Sequence, residues 1–113
     1  MLRVSCMVIS AIGLLFTGEV SGAQQYPTRP IRFVQGFAPG GNADVITRVL
    51  GAEMSKGLGQ PVIAEARIGA GGNIAAEQVA RGEPDGYTLL LITTAHLVSP
   101  ALYSTLGYDS IND

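Results

Sequence analysis

The strongest constraint on the fold is a unit of strand, glycine-rich loop and helix that occurs twice and then begins a third time. The β-prone run at 31–35 leads into a glycine-rich loop at 36–41, and a second run at 61–65 leads into a loop at 69–72. A third run, at 87–93, is strongly apolar. Strands that alternate with helices predict an α/β fold with a parallel sheet.

Each loop is followed by a segment with helical character. Asn42 and Asn73 are predicted to cap the first two helices, the second of which extends to about Arg81. Ser99 and Pro100 suit the start of a short third helix that extends to about residue 106. Apolar residues at helical spacing predict the apolar face of the first helix: Ile46, Val49, Leu50, Met54 and Leu58.

The predicted architecture is a three-stranded parallel sheet with crossover helices. In such a sheet the loops after the strands lie along one edge, where ligands bind beyond the carboxyl ends of the strands. The third strand is apolar on both faces, so we expect it to be buried on both. Three parallel strands leave two open edges and little helix cover, so we expect either more chain or a partner to complete the sheet.

The glycine-rich loops favour an anion site. Two loops that feed helices place free backbone N–H groups and the positive ends of two helix dipoles beside one another. Glycine lets the backbone turn sharply and approach a ligand closely, and the residues concerned are Gly40, Gly41, Gly69, Gly71 and Gly72. The alternative is that these glycines only make tight turns and helix entries.

Nucleotide binding is disfavoured. The second loop begins as the dinucleotide-binding motif does, but Ile74 occupies the position of the third glycine. Neither loop ends in the Gly-Lys-Ser or Gly-Lys-Thr of a P-loop.

A few side chains near the loops are candidates for supporting roles. Asp44 lies just inside the first helix, where it either complements the helix dipole or fixes the loop or a ligand ammonium. Thr93 and Thr94 could donate hydroxyls to a carboxylate, although Thr is also a good strand residue. His96 is interpreted as a loop or helix-start residue with a possible ligand contact, and Arg67 as a source of positive potential if it is not paired.

No catalytic residues, metal site or cofactor are predicted. The serines have no Gly-x-Ser-x-Gly elbow, and His96 is the sole histidine, so no nucleophile with a base is visible. The usual Cys and His spacings of a metal site are missing. A net charge of −2 argues against a general role in binding nucleic acid or anionic membranes.

The first residues read as a secretory signal peptide at 1–23. A basic start at Arg3 and an apolar run at 4–16 precede the small residues Ser21, Gly22 and Ala23. The apolar run is too short to cross a bilayer as a helix. We therefore expect export to the periplasm, cleavage near Ala23 with loss of Cys6, and no stable membrane insertion afterwards.

Several ordered motifs resemble one family. They are YPTRPI at 26–31, FAPGG at 37–41 with Asp44, LGQPV at 58–62, GAGGNI at 69–74, PDGYTL at 84–89, PALY at 100–103 and YD at 108–109. In order and spacing they are similar to the substrate-binding receptors of tripartite tricarboxylate transporters, also called Bug receptors. The resemblance covers nearly all of the chain after the signal peptide.

The resemblance implies a periplasmic-binding-protein type II-like clamshell of two domains that closes on a small carboxylate and delivers it to membrane permease subunits. Residues 24–113 would then be the N-terminal part of the first domain. By position, the implied ligand-binding residues are Phe37, Ala38, Pro39, Gly40, Gly41, Ala70, Gly71, Gly72, Asn73, Thr93, Thr94 and His96, with Asp44 supporting the first loop.

The chain also departs from the family pattern. Gly36, Ile68 and Gly107 replace frequent prolines, Ala66 replaces a frequent asparagine, and Ala75 replaces a usual glycine. Receptors of this family are about three times as long, so we expect a truncated first domain that binds weakly or not at all alone. A non-functional remnant and a phosphate- or acyl-handling enzyme fragment are the alternatives.

Overall fold

The computed structural model describes residues 25–113, so the predicted signal peptide at 1–23 lies outside the described part of the chain. In chain order the elements are β1 (Ile31–Gln35), α1 (Asn42–Leu58), β2 (Val62–Ala66), a 3₁₀ turn (Ala70–Gly72), α2 (Asn73–Ala80), β3 (Thr88–Leu91) and α3 (Thr94–Leu102). The alternation of strands and helices confirms the predicted α/β class.

The three strands form one parallel sheet in the order β2-β1-β3. Gln35, the last residue of β1, is in register with Ala66 of β2 and with Leu91 of β3. All three strands therefore end at the same level, and the loops that follow them lie along one edge, as predicted.

The core is centred on β1. Ile31, Val34 and Gln35 are at most 1% exposed because β1 has a strand on each side and helices packed against it. Residue 51, a glycine, allows α1 to approach the sheet, and a Cβ there would lie 3.4 Å from Val62.

The predicted apolar face of α1 is wrong. Ile46, Val49 and Leu50 are exposed, and the buried face of the helix consists of small or polar residues, namely Ala43, Asp44, Thr47 and Gly51. Small side chains allow the helix backbone to approach the strands closely. The periodicity identified the helix correctly but not the face that packs on the sheet.

The predicted caps also differ from those observed. Gly41 and Gly72 occupy the N-cap positions, Asn42 and Asn73 are the first helical residues, and neither cap makes a side-chain hydrogen bond. In α3 the helix already begins at Thr94, so Ser99 and Pro100 lie inside it rather than at its start. Proline removes a backbone donor and clashes with the preceding turn, in keeping with the end of α3 two residues later.

The expectation for the third strand is also corrected. β3 is four residues long and each of its residues is only partly buried, although all but the first are leucines. Within residues 25–113 it has a strand neighbour on one side only, so its apolar faces are incompletely covered.

Candidate functional site

Three loops follow the strands: the first loop (residues 36–41), the second loop (residues 67–72) and the third loop (residues 92–93). The first two touch, since a Cβ added to Gly36 would overlap the Cα of Gly72. The ring of Phe37 lies against Gly72 as well, 3.5 Å from where a Cβ would stand. Glycine at these two positions therefore allows the backbones of the first and second loops to meet.

All three loops line one small cavity of about 10 Å³. The predicted site residues on its wall are Phe37, Gly71, Gly72, Thr93 and His96. Its volume is enough for about one water molecule. The sequence therefore predicted correctly which loops meet.

Other predicted residues lie outside that wall. Ala38, Pro39, Gly40 and Gly41 form an exposed stretch of the first loop, and Ala70 and Thr94 are also exposed. They lie in the loops or at a helix start at the same sheet edge, but they do not line the cavity. Asn73 is buried beside it at the start of α2.

The prediction of free glycine amides is wrong for Gly40, Gly41 and Gly72, whereas the N–H groups of Gly69 and Gly71 have no acceptor within residues 25–113. The Gly40 N–H donates to Asp44 at 2.9 Å, the Gly41 N–H to the Ala38 carbonyl at 3.2 Å, and the Gly72 N–H to the Gly69 carbonyl at 2.9 Å. These amides hold the loops in shape, because tight turns bring their own acceptors within reach.

Further free donors are at the helix starts. Within residues 25–113, the N–H groups of Asn42, Ala43 and Thr94 have no acceptor, since the first residues of a helix have no carbonyl one turn earlier. The start of α2 is different, because the Asn73 N–H donates to Ala70 within the 3₁₀ turn. Of the helix starts at this edge, those of α1 and α3 therefore contribute most of the free positive potential.

The second loop has an unusual backbone. Gly69, Ala70, Gly71 and Gly72 have φ values of 144°, 47°, 64° and 96°. Glycine adopts positive φ without steric cost, whereas alanine does not. Ala70 is thus a locally strained position in a loop that lines the cavity, and such strain is concentrated at functional sites.

Asp44 fixes the first loop. Its side chain is 8% exposed and accepts hydrogen bonds from Arg48 at 3.0 Å and from the Gly40 N–H at 2.9 Å. The hydrogen bonds from Arg48 and the Gly40 N–H hold the pKa of Asp44 below its usual value. Of the roles predicted for Asp44, the structure shows the one in which its side chain holds the first loop in place.

Arg67 is paired. It lies 3.3 Å from Glu65, which also makes a two-pronged contact with Arg32 at 2.8 Å. The hydrogen bond from Arg32 lowers the pKa of Glu65. The charge of Arg67 is therefore partly compensated, which weakens its predicted contribution to a cleft.

Sequence reasoning missed two residues near the site. Gln35 is fully buried at the end of β1, and its Oε1 accepts the Phe37 N–H at 2.7 Å. Tyr108 donates to Asn73 at 2.8 Å and stacks on His96 with ring centres 5.1 Å apart. A polar residue at the end of an apolar strand was a usable signal for Gln35, whereas nothing local pointed to Tyr108.

Two further findings apply to residues 25–113. No three His, Cys, Asp or Glu side chains cluster there in a way that would hold a metal ion. None of the helices there has the length and hydropathy needed to span a bilayer.

Comparison with known proteins identifies relatives. Residues 46–113 match the model of the tripartite tricarboxylate transporter family receptor. A UPF0065 protein of Bordetella bronchiseptica is 40% identical over 108 residues, covering 95% of this chain and 32% of that protein. The chain thus spans about a third of the length of this curated relative.

Several solved structures also resemble this chain. An R. palustris protein solved with adipate has a TM-score of 0.74 and 38% identity, covering 78% of this chain and 30% of that one. MatC from Rhodopseudomonas palustris with bound malate has a TM-score of 0.71 and 42% identity, covering 75% and 29%. The family consists of transporter receptors and not of enzymes. By its matched sequence and its fold, the chain belongs to the tripartite tricarboxylate transporter receptor family.

Proposed function

We propose that residues 24–113, after a signal peptide at 1–23, supply one part of a periplasmic receptor that binds a small carboxylate. The receptor would deliver that ligand to the membrane permease subunits of a tripartite tricarboxylate transporter. The observation that carries the proposal is the convergence of the three loops on one cavity, with unpaired helix-start amides at the same edge.

The proposed ligand contacts come from all three loops. Beside the first loop, Asn42 and Ala43 contribute their free backbone N–H groups. The second loop contributes the backbone of its strained turn, and Thr93, Thr94 and His96 contribute polar groups after the third strand. Asp44 supports the first loop through the Gly40 N–H rather than by touching a carboxylate, which it would repel. Relatives solved with adipate and with malate support a carboxylate as the ligand class.

The strength of binding can be bounded. A helix dipole contributes about 0.3–1 kcal/mol to an adjacent anion, so two helix starts give about tenfold in affinity. Ligand sites are usually cavities of about 300–1,000 Å³ that enclose most of the ligand. The cavity of about 10 Å³ is far smaller, so we expect residues 24–113 to bind a carboxylate only weakly without further enclosing surface.

Weak binding is best measured residue by residue. The full chain, labelled with ¹⁵N, would be titrated with malate, adipate, dimethyl malate and ATP while amide chemical shifts are recorded. We expect malate or adipate at millimolar concentration to move the amides of the three loops and helix starts. Equal shifts with the neutral dimethyl ester, or tighter binding of ATP, would contradict the proposal.

Gly71 offers a matched pair of variants. It has a φ of 64° and no atom within 4 Å of a Cβ, and both Asn and Asp tolerate that backbone region. Gly71→Asn should keep the response to malate, whereas Gly71→Asp should weaken it about tenfold because a carboxylate repels the anion. If both variants bind alike, the site does not recognise negative charge.

A further inference from the structure

Asn73 has an unused hydrogen-bond donor. The residue is 7% exposed, and its Oδ1 accepts a hydrogen bond from the Tyr108 hydroxyl at 2.8 Å. Within residues 25–113 its Nδ2 has no acceptor. A buried donor without a partner is unfavourable, so an acceptor from elsewhere would be strongly favoured.

His96 contacts the same Tyr108 hydroxyl. Its Nδ1 lies 3.3 Å from the Tyr108 oxygen, and the two rings are stacked at an angle of 16°. If Nδ1 carries the proton, His96 donates to Tyr108, Tyr108 donates to Asn73 Oδ1, and Asn73 presents its NH₂ group. If Nδ1 is bare, Tyr108 donates to His96, the amide reverses, and Asn73 presents its oxygen.

The C-terminal segment is held against α2 where this chain of hydrogen bonds forms. A Cβ on Gly107 would overlap the carboxylate of Glu77, so glycine permits this close approach just before Tyr108. Tyr108 thus connects the start of α2, after the second loop, with His96, which lines the cavity beside the third loop.

We propose that Tyr108 is a positioning residue that orients the Asn73 amide as a donor toward the ligand. This inference rests on the proposed function, because a carboxylate group can only accept hydrogen bonds. The direction from His96 through Tyr108 to Asn73 makes the Asn73 NH₂ group selective for a ligand atom that can accept a hydrogen bond, such as a carboxylate oxygen. A group that can only donate would meet no acceptor at this position.

The direction of the hydrogen bonds from His96 through Tyr108 to Asn73 can be measured without any ligand. His96 is the one histidine of the sequence, so a long-range ¹H–¹⁵N correlation spectrum of the full chain at pH 8.5 reports its tautomer without ambiguity. We expect the proton on Nδ1 in the native chain and on Nε2 in Tyr108→Phe, which keeps the stacked ring but removes the hydroxyl. A native chain with its proton on Nε2 would overturn the inference, even if the variant did not fold.

Malate titration supplies the second readout. Tyr108→Phe should weaken malate binding about five- to tenfold and abolish the malate-induced shift of the Asn73 side-chain amide. Tyr103→Phe is the control, because that ring is 43% exposed, and it should bind as the native chain does.

Equal malate affinity in the native chain and Tyr108→Phe would reject the inference and leave the proposed function intact. An Nδ1 proton with no malate response in any loop would support the hydrogen-bond direction and count against the proposed function.

Discussion

The first and third units of the fold use similar elements but differ in burial. β1 carries Arg32 and Gln35 yet forms the core, whereas β3 has three successive leucines and stays partly exposed. The difference is position, since β1 lies between two strands and β3 has one strand neighbour among the described residues. Hydropathy therefore ranks these strands in the wrong order, and the number of packed neighbours ranks them correctly.

The loops of the first and third units are also held by different contacts. The first loop is held from within its own unit, by Asp44 and by Gln35. The helix after the third loop is held from outside its unit, because His96 stacks on Tyr108. We expect substitutions in the first unit to lower the free energy of unfolding strongly. Substitutions in the third unit should mainly alter the arrangement of the site.

The largest loss of stability should come from truncating a buried side chain of β1. Ile31→Ala should cost about 2–5 kcal/mol in the free energy of unfolding, because the side chain is 1% exposed and leaves a cavity. Leu89→Ala should cost about 1–2 kcal/mol, since part of that side chain is already in water. Urea unfolding followed by circular dichroism measures both. Leu97→Ala, at 72% exposure, is the control and should change little. Equal losses of stability in Ile31→Ala and Leu89→Ala would contradict the difference in burial between β1 and β3.

The next test concerns the contact between the first and second loops. Gly36→Ala should destabilise the chain by about 1–3 kcal/mol, because the new methyl group meets the Gly72 backbone, which cannot rotate away. Gly57→Ala is the matched control, since it points into open space within α1 and should gain up to about 1 kcal/mol from helix propensity. A neutral result at Gly36 in the same urea experiment would mean that the two loops do not touch in solution.

The weakest effect that we expect is the pH dependence that Asp44 contributes in the first unit. Because the pKa of Asp44 is lowered in the folded state, its contribution to stability is complete above about pH 4 and is lost as the pH falls through the folded pKa. α3 has no acidic residue in its first turn and should show no such dependence.

Asp44→Asn isolates this effect. The variant should be less stable than the native chain at pH 7, and the difference should shrink as the pH falls below about 4 and the native carboxyl takes up a proton. Thermal unfolding at several pH values measures the difference. Glu83→Gln removes an exposed carboxylate and should leave the native pH profile unchanged. A constant gap between Asp44→Asn and the native chain would show that the contribution of Asp44 is not electrostatic.

Much of the candidate site followed from local pattern. Parallel strands force their following loops to one edge, so the meeting of Phe37, Gly72 and Thr93 around one cavity was predictable. The pairing of the amides was not. Whether the Gly40 N–H is free depends on the rotamer of Asp44, and the donor face of Asn73 depends on Tyr108, 35 residues away.

The sequence by itself determined the order of elements, the parallel sheet, the edge that carries the loops and the family. These depend on spacing, on turn residues and on motifs, which are local. Only the tertiary structure decided which face of α1 packs on the sheet, how far β3 is buried and which loop amides remain unpaired. The first two depend on what a distant part of the chain places within a few ångströms, and the third depends on the exact turn geometry and the rotamer of Asp44. None of these leaves a periodic trace in the sequence.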